Sequence, residues 1–227
     1  MAHTAQLIFG YALFALMICI VFFLIIATLN QSDFRIFIKM LASSLFLGVG
    51  LFGYFQKSSL IASFVLIGLG FSFLGDLFLG LIKKDENRTY FLLGVGFFSL
   101  THIFYGLAFY QVASFSIFHI IVLAFVYTIL FFDFNSPYFD FKGNKVVVVI
   151  YATLISIVGG FALQALSSPE ITIRFLSLGA ISFFLSDFLL MHVYFYKNVT
   201  KGITPIYLLL YYVGQLLIAF SIFIQVI

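Results

Sequence analysis

The sequence of 227 residues lacks several features of soluble proteins. It contains no tryptophan, three prolines and a single cysteine, Cys19. A single cysteine excludes a disulfide framework and any metal site built from several cysteines. Charged residues make up 8% of the chain, whereas soluble domains carry roughly a quarter. With 11 Lys and Arg against 8 Asp and Glu, the net charge of +3 provides no basic surface for nucleic acid.

Familiar metal and cofactor motifs are also missing. The four histidines include no His-x3-His pair, so a zinc site of the three-histidine type is not expected. The sequence has no glycine-rich loop of the kind that cradles phosphate. We therefore expect no metal and no cofactor. The histidines are His3, His102, His119 and His192.

The chain has instead a high content of apolar residues. Hydrophobic residues make up 64% of it, with 34 Phe and 13 Tyr, and the mean hydropathy is +1.22. A helix needs roughly 20 apolar residues to cross a bilayer, and continuous runs without strand-like alternation favour helices over a barrel. The prediction is an all-α, polytopic membrane bundle of eight transmembrane helices that forms one integral membrane domain over residues 1–227. The predicted spans are 5–29, 36–56, 59–82, 90–111, 114–132, 146–166, 171–195 and 203–226.

The basic residues are distributed unevenly between the two sides of this bundle. One side has only Lys57 and Arg174 in its connections. Because cytoplasmic loops are enriched in Lys and Arg, the other side is predicted to be cytoplasmic, with both termini outside. The first span has no basic residue before it and is predicted to be retained. The cytoplasmic residues are Arg35, Lys39, Lys83, Lys84, Arg88, Lys142, Lys145, Lys197 and Lys201.

Two segments resemble each other at an offset of 111 residues. Residues 68–80, GLGFSFLGDLFLG, align with residues 179–191, GAISFFLSDFLLM, and the alignment pairs Asp76 with Asp187. It makes the third span equivalent to the seventh and the fourth equivalent to the eighth. The hypothesis is two four-helix halves in a parallel repeat. The alternative is chance matching within a composition dominated by Gly, Phe and Leu.

Asp76 and Asp187 are the two acidic residues that lie well inside predicted spans. A carboxylate at mid-span costs about 2.5–3.5 kcal/mol on insertion scales, so such residues need a function or a partner. No lysine or arginine lies deep enough to be that partner, and we therefore expect neither aspartate to have one. The two aspartates are the candidate catalytic residues.

Other polar side chains occur at similar depth. His102 and Tyr105 share a face of the fourth span, Tyr211 and Gln215 lie four residues apart on the eighth, and Ser72 precedes Asp76 by one turn. These helices are predicted to enclose one polar pocket. The alternative for each side chain taken alone is an ordinary interhelical hydrogen bond.

The order of these residues resembles a known family. The chain resembles the YhhN family of integral membrane proteins, which includes the lysoplasmalogenases. Lys39, which opens the second span, resembles the family's lysine at that point, but Met40 stands where proline is usual. After Asp187 this chain has larger side chains than the family. The matching residues are Gly75-Asp76, Phe91…Gly94…His102…Tyr105, Ser186-Asp187 and Tyr211…Gln215-Leu216-Leu217-Ile218-Ala219.

The resemblance implies hydrolysis of the vinyl ether bond of a lysoplasmalogen to a fatty aldehyde and a glycerophospho-ethanolamine or -choline. Two carboxylates suit that reaction, because one can protonate the alkene while the other stabilises the resulting cation, as in glycosidases. The sequence leaves open which aspartate is the acid. Lys39 is expected to meet the lipid phosphate. The remaining substrate-binding candidates are Ser72, His102, Tyr105, Tyr211 and Gln215.

The expected surroundings follow from the same resemblance. The substrate is a lysophospholipid already in the bilayer, the other contacts are membrane lipids, and the location is a bacterial inner membrane. Intramembrane carboxylates and repeated halves also occur in proton-coupled transporters. A transporter of lipids or small molecules is therefore the main alternative, and a non-catalytic assembly factor is a third.

Overall fold

The fold is an eight-helix bundle. The computed structural model describes residues 2–82, 88–198, 200 and 202–224, and these ranges contain eight helices that are long and apolar enough to span a membrane, and no strand. The prediction of an all-α bundle of eight spans is thereby confirmed. The helices are α1 (Ala2–Leu29), α2 (Arg35–Gln56), α3 (Leu60–Gly80), α4 (Arg88–Tyr110), α5 (Ile117–Asn135), α6 (Lys145–Ala165), α7 (Ile171–Phe195) and α8 (Ile203–Phe223).

Helix α5 is shifted from its predicted bounds at both ends, beginning and ending three residues later than expected. Ser116, the residue before α5, has an extended backbone conformation. Its backbone N–H donates to His119 Nδ1 at 3.0 Å. Satisfying an otherwise unpaired N–H group fixes the start of a helix. The predicted connection of 133–145 is accordingly shortened to residues 136–144.

The helix pairs that pack together occur in corresponding pairs. The most extensive contacts are those of α3 with α4 and of α7 with α8, which correspond to each other. In the same way, α2–α3 corresponds to α6–α7, α1–α2 to α5–α6, and α2–α8 to α6–α4. This is the pattern that two repeated four-helix halves produce. Two contacts lack a counterpart: α1 and α3 both pack against α8, whereas α5 and α7 make no comparable contact with α4. A seam therefore runs between α4 and α5.

The end of the bundle where α1, α3, α5 and α7 finish is called the basic end here. Asp76 precedes the end of α3 by four residues and Asp187 precedes the end of α7 by eight, which places them about 6 Å and about 12 Å from it at 1.5 Å per residue. The connection 136–144 folds over this end, because the Asp140 N–H donates to the Phe195 carbonyl at 2.8 Å and the Lys197 N–H donates to the Tyr138 carbonyl at 2.9 Å.

Candidate active site

Asp76 is surrounded by three donors. The hydroxyls of Ser43 and Tyr211 donate to its Oδ2 at 2.6 Å and 2.7 Å, and Lys39 Nζ lies 3.1 Å from its Oδ1. The Asp76 side chain is 2% exposed and that of Lys39 is 16% exposed. Both carboxylate oxygens are therefore engaged.

The ion pair with Lys39 corrects one prediction from the sequence. We expected no cationic partner for either aspartate, and for Asp76 that expectation is wrong. Lys39 lies one turn into α2, and α2 packs directly against α3. A lysine near a helix end can extend its flexible side chain along the helix to reach a buried partner. The ammonium of Lys39 thus contacts the Asp76 carboxylate, and its expected contact with a lipid phosphate stays a prediction.

Asp187 has a different set of partners. Tyr151 donates its hydroxyl proton to Asp187 Oδ2 at 2.6 Å, and His102 Nε2 lies 3.0 Å from the same oxygen. Because the single proton of Tyr151 is used, His102 must carry a proton on Nε2 to donate as well. Among the residues that the structure describes, no donor reaches Asp187 Oδ1. One oxygen of this carboxyl is held and the other is left available.

Sequence reasoning missed two residues of these sites, Ser43 and Tyr151. Ser43 follows Lys39 by four residues on α2 and therefore shares its face, which was a usable signal once Lys39 had been selected. Tyr151 is an isolated tyrosine in the apolar run of α6. Only its position in the bundle identifies it.

The other predicted residues form a separate network one turn deeper. Gln215 donates to Ser72 Oγ at 2.9 Å and accepts from the Tyr105 hydroxyl at 2.8 Å, and Ser72 donates to Thr101 at 3.3 Å. All four side chains are fully buried. Their hydrogen-bonding groups are largely satisfied by each other, and none of the four lines either of the cavities described next.

Two cavities meet beside the aspartates. The first, here called the apolar cavity, encloses about 710 Å³ out to its mouth and is lined almost wholly by apolar side chains of α4, α5, α6 and α7. The second, here called the polar cavity, encloses about 620 Å³ and is lined by Arg35, Lys39, Asp76, Tyr207 and Tyr211 among others. Both volumes include the open space at the mouth of each cavity.

Asp187 lines both cavities. The residues that the two linings share are Leu79, Phe98, Asp187, Leu190 and Tyr194, and Asp187 is the one carboxyl among them. Asp76 and Lys39 line the polar cavity alone, and Tyr151 lines the apolar cavity alone. The site can therefore bind a molecule with one apolar and one polar part so that the bond between them lies against Asp187.

Comparison with known proteins identifies the family of the chain. The model of the YhhN family matches residues 34–222, a range that includes α2 to α7, all but the last residue of α8, and every site residue named above. No curated protein and no solved structure matches the chain. The chain belongs to the YhhN family, and this membership suggests a membrane hydrolase.

Proposed function

We propose that this YhhN-family protein is an intramembrane hydrolase that cleaves the vinyl ether bond of lysoplasmalogens. The observation that carries the proposal is the position of Asp187 at the junction of an apolar and a polar cavity. A lysoplasmalogen has an apolar alkenyl chain and a polar glycerophospho head group, joined at the bond to be cleaved. Its two parts match the two cavities in chemical character and in order.

The route of the substrate follows from the seam between α4 and α5. The apolar cavity lies behind this seam, lined by Val95 of α4, Val126 of α5 and Ile155 of α6. A lipid in the bilayer can insert its single chain laterally there, while the head group enters the polar cavity at the basic end. The alkenyl chain of the lipid then moves from one apolar environment to another, so its transfer costs little free energy.

Asp187 is the general acid in this proposal. Its Oδ1, which has no donor, holds the proton, while Tyr151 and His102 fix Oδ2. The proton passes from Oδ1 to the alkene carbon farther from oxygen, and the electron pair of the double bond forms the new C–H bond. The adjacent carbon becomes an oxocarbenium ion with the ether oxygen.

The same carboxylate completes the hydrolysis. Having lost its proton, Asp187 accepts one from a water molecule whose oxygen adds to the cationic carbon, which gives a hemiacetal. The hemiacetal collapses to the aldehyde as the glycerol oxygen departs with a proton. The balance is one vinyl ether and one water giving one aldehyde and one alcohol, and the acid returns to its starting state.

Asp76 is the fixed anion. Lys39, Ser43 and Tyr211 engage both of its oxygens, and in this proposal its negative charge lowers the energy of the cation that forms in the polar cavity. Ser72, Tyr105 and Gln215 do not line either cavity. We assign them the role of holding α3, α4 and α8 in register behind Asp76. The basic end faces the cytoplasm of a bacterial cell in this proposal.

The test is aldehyde release by the purified protein in nanodiscs from lysoplasmenyl-ethanolamine and lysoplasmenyl-choline. In D₂O the aldehyde, trapped at once by borohydride reduction, should carry one deuterium on the carbon next to the former carbonyl. That label reports protonation at carbon. The matched control variant is Asp33→Asn, which removes an exposed carboxylate outside both cavities and should retain full activity.

Three results would overturn the proposal. The first is no aldehyde from either substrate. The second is release of free fatty acid from an ester lysophospholipid, because nothing in the site provides a nucleophile with an oxyanion hole. The third is movement of intact lysolipid or protons across the vesicle membrane without cleavage, which would favour a transporter.

A further inference from the structure

The polar cavity has an arginine at the basic end that the hydrolytic steps do not use. Arg35, the first residue of α2, lines this cavity together with Tyr194 of α7 and Tyr207 of α8. The arginine is half-buried. It was not among the candidates selected from the sequence, where it served only to indicate orientation.

The guanidinium of Arg35 is held in place by the end of α3. Its Nη2 donates to the carbonyl of Gly80 at 3.3 Å and to that of Ile82 at 3.0 Å. The Gly80 carbonyl is one that the end of α3 leaves without an intrahelical partner, and Ile82 lies two residues beyond that end. Nε and Nη1 have no acceptor among the described residues. The group is thus oriented by one nitrogen and retains donors on the other two.

Arg35 also contributes a positive charge that the described part of the chain does not neutralise. Within that part, the ion pair of a lysine or arginine with a carboxylate is that of Lys39 with Asp76. Lys39 is therefore bound to Asp76, whereas Arg35 is the cation in the cavity wall with donors to spare. A planar guanidinium can bind two oxygens of a phosphate at once, which an ammonium does less well.

The spacing along α7 connects this group with the proposed chemistry. Tyr194 follows Asp187 by seven residues, which is two helical turns on the same face and about 10 Å toward the basic end. A head group held at Tyr194 and Arg35 leaves the ether end of the same molecule beside Asp187. The polar cavity thus has an anion-binding end and a reactive end.

We infer that Arg35, with the hydroxyls of Tyr194 and Tyr207, forms a binding site for a phosphate group, and that this site selects phosphate-bearing lipids over their phosphate-free analogues. The inference rests on the proposed function for its assignment to a substrate head group. Its physical basis, an anchored arginine in the wall of a polar cavity, is independent of the reaction.

The first experiment compares two substrates that differ only in the phosphate. Aldehyde release is measured with a lysoplasmenyl lipid and with the corresponding 1-alkenylglycerol. The wild type should have a much lower KM for the phosphate-bearing lipid, and Arg35→Gln should reduce the ratio of the two KM values by about 10- to 100-fold, the range for a lost charge-assisted hydrogen bond. Arg35→Lys should restore part of the ratio. A merely structural role would change both KM values together and leave the ratio intact.

The second experiment measures binding without cleavage. A 1-alkyl lysophospholipid, which has no vinyl ether, is titrated into the protein in nanodiscs by calorimetry. Arg35→Gln should weaken its binding by the same factor, whereas Arg174→Gln, which removes an exposed arginine at the opposite end of α7, should not. If the wild type binds this lipid through Arg35 but releases no aldehyde, the phosphate site stands and the proposed hydrolase falls.

Competition distinguishes a lipid head group from free phosphate. Glycerophosphoethanolamine should compete with the alkyl lysophospholipid more strongly than inorganic phosphate does. Equal competition by both would overturn the assignment to a lipid head group. Unchanged KM ratio and unchanged binding in Arg35→Gln, in a protein that still releases aldehyde, would overturn the phosphate site itself.

Discussion

The two aspartates occupy equivalent places in the two halves of the bundle but have different surroundings. Asp76 on α3 is contacted from α2 and α8, and Asp187 on α7 is contacted from α6 and α4. Under the offset that relates the halves, α2 corresponds to α6 and α8 corresponds to α4. The backbone arrangement thus repeats, and the side chains that meet each carboxylate do not.

The difference lies in how many donors each carboxylate has and which oxygens they reach. Asp76 has a lysine and two hydroxyls distributed over both oxygens, whereas Asp187 has one hydroxyl and one imidazole on a single oxygen. Charge-assisted contacts on both oxygens hold an anion, and a free oxygen can carry a proton. The corresponding helices therefore provide two buried carboxylates, and in the proposed function their different surroundings make Asp76 the anion and Asp187 the acid.

The largest expected effect is on catalysis at Asp187. Asp187→Asn should lower kcat for aldehyde release by about 10⁴-fold, the upper range for loss of a general acid. Asp76→Asn should lower it by about 10²-fold, since charge stabilisation is lost but the proton donor remains. Activity is normalised to monodisperse protein from gel filtration. A greater loss in Asp76→Asn than in Asp187→Asn would reverse the roles assigned to the two residues.

The next effect is on stability, and it should be confined to the Asp76 site. Lys39→Met leaves the Asp76 carboxylate without its cation and should lower the free energy of unfolding by about 3–5 kcal/mol. The double variant Lys39→Met/Asp76→Asn should recover most of that loss, because no buried charge is left unpaired. His102→Gln at the other site keeps a donor and should change stability by about 1 kcal/mol or less. Denaturant titration in detergent measures all three, and an equal loss at both sites would contradict the distinction.

A third comparison concerns the glycines that the repeat aligns, Gly68 and Gly179. A Cβ at Gly179 would lie 2.6 Å from the Gly214 carbonyl oxygen and 2.8 Å from the Ile218 nitrogen, both backbone atoms of α8. A Cβ at Gly68 would meet the ring of Tyr105, a fully buried side chain whose hydroxyl donates to Gln215. Gly179→Ala and Gly68→Ala should therefore each destabilise the protein by about 2–3 kcal/mol.

Gly70 provides the control for these glycine variants. It lies on α3 with nothing within 4 Å of its Cβ position. Gly70→Ala should leave stability unchanged or raise it by up to about 1 kcal/mol, since alanine favours helix more than glycine does. Thermal unfolding of the three variants ranks them. A Gly68→Ala variant less stable than Gly179→Ala would indicate that the α3–α4 contact is the more rigid one.

Much of the fold follows from the sequence because lipid restricts the choices. Long apolar runs must be helices, and a carboxylate inside such a run stands out against a chain with 8% charged residues. Asp76 and Asp187 were therefore identifiable without coordinates. The start of α5 was not, because it depends on the hydrogen bond between Ser116 and His119 rather than on hydropathy.

The partners of the aspartates were harder to predict, for a physical reason. Depth can be read along one helix, but which helices are neighbours depends on packing that the hydropathy pattern does not contain. Lys39 appeared too far from Asp76 because it lies near the end of a different helix, α2, and its reach depends on the contact between α2 and α3. Tyr151 has no pattern around it in α6, and a cavity is a property of several helices together.

The smallest expected effect separates the tyrosines of the two sites. The hydroxyl of Tyr151 is one of two donors to Asp187, and that of Tyr211 is one of three to Asp76. Tyr151→Phe should lower kcat by about tenfold, because the carboxylate formed by proton transfer loses a hydrogen bond of about 1.4 kcal/mol. Tyr211→Phe should lower kcat by about twofold, since Lys39 and Ser43 still hold the anion.

Tyr127 offers a matched control for these two variants. Its hydroxyl also bonds to a side chain, Thr153 Oγ1 at 2.8 Å, but it is exposed on α5 and lines neither cavity. Tyr127→Phe should therefore leave kcat unchanged. Steady-state aldehyde release at saturating substrate measures the three variants side by side. Equal losses in Tyr151→Phe and Tyr211→Phe would mean that the two carboxylates share the proton-transfer role. An acid must release and recover a proton in every turnover, and the loss of one donor should therefore slow it. A fixed anion that keeps two donors should be affected much less.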